Sequence, residues 1–520
     1  MARGDVQTGA AVAAPMTPRE VKLAFFAVLA AMSLAGLDGT AVAAALPQMV
    51  EELQGFDQIS WVITAYLLTS TVTIPIYGKL SDLYGRRRLF TVAIVVFVVG
   101  SVLCAAAQTM DQLIGARAIQ GIGAGGLIPL AISAIGDLYS PRERGRIQGH
   151  TSALFAFTSV AGPLFGGLLT DHASWRWVFL LNVPVGAVAL AVVLKAMRVP
   201  ISGRKPRIDV AGAATMLVGS TSILLALVWG GTEYPWGSEQ VLGLLAVGAV
   251  ATVLFVAIER RAAEPIVPLG LFRRPVFTVT VAVAPVIGAS MFVVTVYIPI
   301  YVQQVLGRSA TGSGAVLIPY LLAWVATSLV IGRLVTRTGR YKLYPPLGGA
   351  VATVGFFLLS RLGPDASTAQ VVVAMVVTGI GMGPMFNTYT IAVQNAVPHQ
   401  QMGAATAALQ FVRSLGGAIG LAAFAAVITA RLTTELETRV PPGTVTAKRL
   451  LEPRDAELGP AVAAGARAAL AAALDHVYLW CVPFLAVTIV CGLLLPELPL
   501  RTAAPHAGSG EGQPEPAKAE

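Results

Sequence analysis

Asp38 is the one acidic residue deep inside an apolar stretch of this chain. Asp209 and Glu259 stand at the ends of such stretches, and the other acids fall in polar connectors or tails. A charge at the centre of a bilayer costs about 2.5–3.5 kcal/mol on insertion scales, and residues placed there usually line a pathway. Arg117 falls at a comparable depth in another apolar run, with Gln120 one helical turn further on. This set can move protons: Asp38 would alternate between pairing with Arg117 and carrying a proton, with Gln120 hydrogen-bonding beside it. The competing reading is a structural acid that only neutralises an arginine. Arg413, in LQFVRSLGGAIG, is a second buried base. It suits an anionic group of a substrate or a gate contact, or else backbone carbonyls of a neighbouring helix.

Other residues could carry chemistry and do not form a set that would. GIGAGG at 121–126 matches the GxGxxG fingerprint of dinucleotide sites, but that fingerprint needs a preceding strand and an open turn. Here it sits inside an apolar run, where small residues let helices approach closely. GxxxxGK[ST] does not occur, so ATP drive is not expected. Cys104, Cys481 and Cys491 all lie in apolar runs and form no CxxC or His/Cys cluster, so neither a disulfide framework nor a metal is expected. No nucleophile–base set supports an enzyme, and no cofactor is expected.

The elements that must hold these residues are membrane spans. The chain is 55% hydrophobic and 12% charged, against roughly 25% charged in soluble domains. Fourteen windows are long and apolar enough to cross a bilayer, which takes roughly 20 residues each. Lys and Arg gather in alternate connectors, as at Lys79, Arg86–Arg88, Arg142–Arg146 and Arg337–Lys342. The short connectors on the other side hold only Arg176, Arg308 and Arg361. By the positive-inside rule both termini are cytoplasmic. The net charge of +9 is therefore a topology signal and does not imply a nucleic-acid partner. The first twenty residues carry no apolar core, so no cleaved signal peptide is expected.

Segments repeat in one order. GKLSDLYGRRR from Gly78 returns as GRLVTRTGRYK from Gly332 without its acid, and QGIGAGGLIP from Gln120 returns as TGIGMGPMFN from Thr378. Two duplicated halves follow. The expected organisation is a tail (1–21), a six-helix bundle (22–200), two inserted spans (201–262), a second six-helix bundle (263–500) with an extracellular loop at 431–475, and a disordered tail (501–520). Polar residues within spans that would face a central cavity are Tyr66, Thr69, Tyr297, Gln303, Trp324, Asn387, Tyr389 and Arg413. Each could instead be a helix contact.

GKLSDLYGRRR, RAIQGIGAGG (117–126) and GPLFGG (162–167) resemble signature motifs of the major facilitator superfamily. LDGTAVAAALP (37–47) and WRWVFLLNVPVG (175–186) resemble those of its fourteen-span drug:proton antiporter branch. Ala43 stands where the family usually has Asn, and Thr158 where it usually has Gly. The resemblance implies an all-α polytopic membrane protein of two rocking six-helix bundles plus two extra spans. It implies antiport of an amphipathic small molecule, neutral or anionic, against protons across the cell membrane, with the lipid bilayer as surroundings and a monomer as the working unit. The span-5 motif, Gly162, Pro163, Gly166 and Gly167, would be the antiporter hinge. Gly78, Asp82, Gly85, Arg86 and Arg87 would form a latch in which Asp82 pairs with arginines and with span 11, holding the outward-open state. A lipid or metabolite exporter of the same fold, or a non-transporting sensor, is the alternative. High Ala, Gly and Arg usage points to a bacterial source.

Overall fold

Apolar runs, many of them opened by a capping residue or a proline, dictate the architecture. The structure is a computed structural model that describes residues 17–55, 58–196, 208–231, 233–441 and 460–500. The helices of the first half are α1 (Pro18–Leu53), α2 (Ile59–Tyr84), α3 (Arg86–Ala106), α4 (Met110–Leu138), α5 (Pro141–His172), α6 (Arg176–Leu180) and α7 (Asn182–Ala196). After them come α8 (Val210–Trp229) and α9 (Glu239–Glu259). The second half holds α10 (Pro275–Ile300), α11 (Ala310–Thr338), α12 (Tyr344–Leu359), α13 (Thr368–Ala396), α14 (Met402–Arg439) and α15 (Pro460–Leu493). Side chains of Thr17, Ser140, Ser238, Ser309 and Ser367 accept backbone N–H groups at their helix starts, which satisfies donors that a helix otherwise leaves open.

Among the described residues, 13 helical stretches are long and apolar enough to cross a membrane, α6 and α7 counting as one, and α12 is a shorter apolar helix. Large apolar side chains such as Val92, Val95 and Val99 on α3, and Val250 and Val253 on α9, point outward. The protein is a multi-pass membrane protein whose outer face suits lipid. Three helices begin or end well beyond the apolar windows. TPRE forms a capping box that starts α1 at Pro18, inside the expected tail. α14 runs on polar residues to Arg439, held by Arg439 on Glu435 at 2.8 Å, and α15 begins at Pro460, so helix ends occupy much of the expected 431–475 loop. The tail expected at 501–520 and the centre of that loop lie outside the described residues.

Helices α1–α7 pack as one bundle and α10–α15 as another, while α8 and α9 pair together and α8 leans on α2 and α14. The two bundles meet in a crossed pattern: α2 packs on α14, and α5 on α11. Both crossings lie toward the end carrying the basic connectors. A Cβ on Gly78 would collide with Ala407, and one on Gly332 with the Gly145 carbonyl, so only glycine permits these approaches. Gln394 Nε2 to the Ile132 carbonyl (3.1 Å) and Asn387 Nδ2 to Ser152 Oγ (3.0 Å) add bonds between the halves. GIGAGG lies in the interior of α4, its glycines against α2 and α3, where no phosphate-binding loop exists.

Candidate functional site

Asp38 on α1 is 1% exposed, yet both its carboxylate oxygens are hydrogen-bonded, by three donors in all. Arg117 Nη1 donates to its Oδ2 at 2.6 Å. Gln120 Nε2 donates to its Oδ1 at 2.7 Å, and Asn182 Nδ2 donates to the same oxygen at 3.0 Å. Arg117 also donates from Nη1 to Gln120 Oε1 at 2.6 Å and from Nε to the Val62 carbonyl at 3.2 Å, and its guanidinium lies 4.1 Å from the Tyr66 ring centre. Ser101 accepts from Gln120 and Asn182, closing the network. The pairing expected from depth alone is present, together with an amide the expectation lacked. Asn182 follows Leu181, where the backbone stays helical, and its side chain reaches α1 because α7 packs on that helix. It supplies a polar contact that the Ala43 position does not. Its signal was visible in WRWVFLLNVPVG, but not its direction.

If Asn182 positions the Asp38 carboxyl, Asn182→Ala should lower gradient-driven transport about tenfold to a hundredfold, the scale of one hydrogen bond to a charged group. It should also displace the pH profile of transport while leaving substrate affinity unchanged. An unshifted profile would mark the amide as packing only.

The span-5 motif packs α5 against α1. A Cβ at Gly162 would strike Thr40, and one at Gly166 the Ala41 backbone. Gly167 borders open space, and Pro163 interrupts the helical bonding of α5. Thr158, in place of a glycine, sits against Gly36. The small residue is thus on the opposite helix, and close approach is kept.

At the basic end, Asp82 accepts from the backbone N–H of Gly403 at 2.9 Å and of Ala404 at 2.8 Å. Arg86 Nη2 lies 3.4 Å from Asp82 Oδ1, and Arg86 Nε pairs with Asp137, whose Oδ1 lies 2.8 Å from His399 Nε2. Gly85 makes the turn with φ +88°, and Arg87 takes no part in the network. The partner helix is α14, the thirteenth span, and not the eleventh as expected. Two spans inserted ahead of the second half move its fifth helix from eleventh to thirteenth place. The missing acid of the second copy now has a physical reason. The residue before α14, Gln401, offers no side-chain cap, so Asp82 caps the helix from the other half. α5, which faces the second copy, is capped by its own Ser140–Glu143 box. There Arg142 instead donates to the Thr336 carbonyl at 2.7 Å and the Arg337 carbonyl at 3.1 Å.

Two adjoining cavities lie between the halves. The larger, about 530 Å³, is bordered by α1, α2, α4, α5, α8, α10 and α14, and Tyr66 is on its wall. The smaller, about 60 Å³, is lined by Trp324 and, unforeseen, by Gln148, Ser152, Tyr320 and Phe386. Arg413 is 4% exposed and stacks on the Phe386 ring at 4.0 Å. Asn387 bonds across the halves and lines neither cavity. Thr69 faces its own helix and α4, Tyr297 donates to the Leu421 carbonyl, Gln303 to Ser313, and Tyr389 to the Thr488 carbonyl, so these four also line neither.

A profile described as the Major Facilitator Superfamily matches residues 28–421. The chain is 38% identical over 503 residues to an uncharacterized MFS-type transporter of Mycobacterium tuberculosis, covering 96% of this chain and 73% of that one. It is 38% identical to two Bacillus subtilis proteins, Multidrug transporter protein MdtP and Multidrug resistance protein 3. These matches cover 78% and 80% of this chain, and 74% and 81% of theirs. Among solved structures, the proton:xylose symporter XylE superposes with a TM-score of 0.59 at 14% identity, over 92% of this chain and 96% of that one. At that identity the likeness speaks for the fold alone.

Proposed function

The chain belongs to the major facilitator superfamily, and from that premise we propose that it exports amphipathic small molecules in exchange for protons. The observation that carries this reading is the buried, hydrogen-bonded cluster of Asp38, Arg117, Gln120 and Asn182 next to a cavity between two bundles. Tyr66 links the two, with one side on the cavity and its ring under the Arg117 guanidinium. A substrate pressing on Tyr66 displaces Arg117, and Asp38 then takes a proton in place of the arginine. The names of the Bacillus subtilis relatives support multidrug export as the class of activity.

With the basic end in the cytoplasm, as the positive-inside rule requires, the halves are closed on the cytoplasmic side and the chain faces outward. Asp82, Gly403 and Ala404 then hold that closure. Transport by alternating access follows when the bundles rock about the glycine crossings. The gradient supplies about 2.3 kcal/mol per proton for each 100 mV of membrane potential, besides its pH part. The test is export of a panel of amphipathic dyes from proteoliposomes under an imposed pH gradient. Dye movement should follow the gradient and collapse with a protonophore; movement indifferent to the gradient would rule out proton exchange.

A further inference from the structure

The wall of the smaller cavity carries three hydrogen-bond donors that make no bond within the protein: Gln148 Nε2, the Tyr320 hydroxyl and Trp324 Nε1. Their residues are 3, 0 and 8% exposed, so bulk water does not serve them. Leaving one buried donor unpaired costs about 1–3 kcal/mol, and folded proteins keep few such groups. Three around one space of about 60 Å³ mark a place built to meet acceptor atoms. An indole nitrogen and an amide nitrogen can only donate, so the preference has a sign. No acidic side chain lines either cavity. Arg413, with no carboxylate partner among the described residues and one long bond of 3.4 Å to Gln410, stands behind Phe386 on the same wall.

The two cavities share Ile128, Phe155 and Ser159. The larger is walled mainly by apolar groups, among them Leu67 and, from the inserted helix α8, Leu224 and Leu227. A single molecule can therefore occupy both, with a broad apolar body and a small polar end. A space of about 60 Å³, where one water needs about 10–15 Å³, has room for a carbonyl or carboxylate head.

We propose that Gln148, Tyr320 and Trp324 form the seat for the polar head of the exported molecule, and that this head is a hydrogen-bond acceptor, neutral or anionic. The proposal rests on the reading of the chain as an exporter. An ammonium head would meet two nitrogens that can only donate and the positive field of Arg413, with no carboxylate among the described lining residues to offset them, and is disfavoured.

The test uses two fluorescent probes with one apolar body and opposite heads, anthracenecarboxylate and anthracenylmethylammonium, titrated into the full-length protein in lipid nanodiscs. The carboxylate should bind about tenfold more tightly than the ammonium. Tyr320→Phe and Trp324→Phe should each weaken the carboxylate about tenfold or more, as expected for one hydrogen bond to a charged group, and leave the ammonium unchanged. Tyr320→Phe removes a hydroxyl the fold does not use, so loss of binding there is not loss of structure. Equal binding of the two heads, no carboxylate binding, or carboxylate affinity untouched by both substitutions would overturn the proposal. Carboxylate that binds as expected but is not moved by a pH gradient would keep the seat and remove the exporter reading instead.

Discussion

Asp38→Asn is expected to abolish export driven by a pH gradient while leaving substrate binding in place. Asn has the shape of Asp38 and can still accept one of the bonds from Gln120 or Asn182, so the helices keep their contacts. What it lacks is the charge opposite Arg117, which is 1% exposed. Breaking a buried ion pair from one side costs about 3–5 kcal/mol, and that cost falls on the state in which Arg117 is shut in with a neutral partner. The gradient-driven rate should drop about a hundredfold or more, the scale of 3 kcal/mol. Exchange of substrate at equal pH on both sides should fall far less, because it needs no net proton movement. Proton uptake coupled to substrate export, followed with a pH dye inside the vesicles, decides the matter. Coupled uptake that persists in the variant would return Asp38 to a structural role.

Asp82→Asn tests the other end of the molecule. Its carboxylate receives the first N–H groups of α14 and lies beside Arg86. Bonds to a charged group are worth about 1.5–3 kcal/mol, and an anion at a helix N-terminus adds about 0.3–1 kcal/mol. The amide keeps one acceptor and loses the charge, so the closed state should lose about tenfold or more in population. Spin labels at Arg88 on the first half and Leu343 on the second, both exposed, should report a longer distance across the basic end. Transport should fall by about an order of magnitude with normal amounts of protein in the membrane. Normal transport with unchanged distances would reduce the GKLSDLYGRRR phrase to a turn and a topology signal. Thr336, at the matching place in the second copy, predicts the contrast: its helix partner α5 carries its own cap, so Thr336→Ala should disturb the closure little.

Much of this was legible because membrane spans are read from composition, and composition is local. The apolar windows, the alternate basic connectors and the repeated phrases announced the helices and the two halves. The pairing of Asp38 with Arg117 followed from depth, since two charges buried at one level in oil have little choice but each other. Helix ends were less legible: α1 and α14 run past their apolar windows on polar residues, because capping and side-chain pairs extend a helix where hydropathy has stopped.

What a polar residue inside a span does was not legible. Thr69, Tyr297, Gln303 and Tyr389 were chosen for being polar, yet in lipid every non-lipid face attracts polar groups, whether it meets a cavity or another helix. Tyr320 and Gln148, which line the small cavity, carry no sequence mark that separates them from those four. Asn182 needed the packing of α7 on α1 to give it a partner. The partner of Asp82 needed the crossing of α2 on α14, a contact between residues more than three hundred positions apart.

By itself the sequence determined the number of spans, their order, the duplicated halves and the one acid buried deepest. Only the tertiary structure decided which helix each polar group addresses, where the halves touch and where they leave space. The reason is physical: burial in a membrane is governed by the solvent preference of each stretch taken alone, whereas caps, seats and latches are bonds between stretches, and their geometry exists only once the bundles have met.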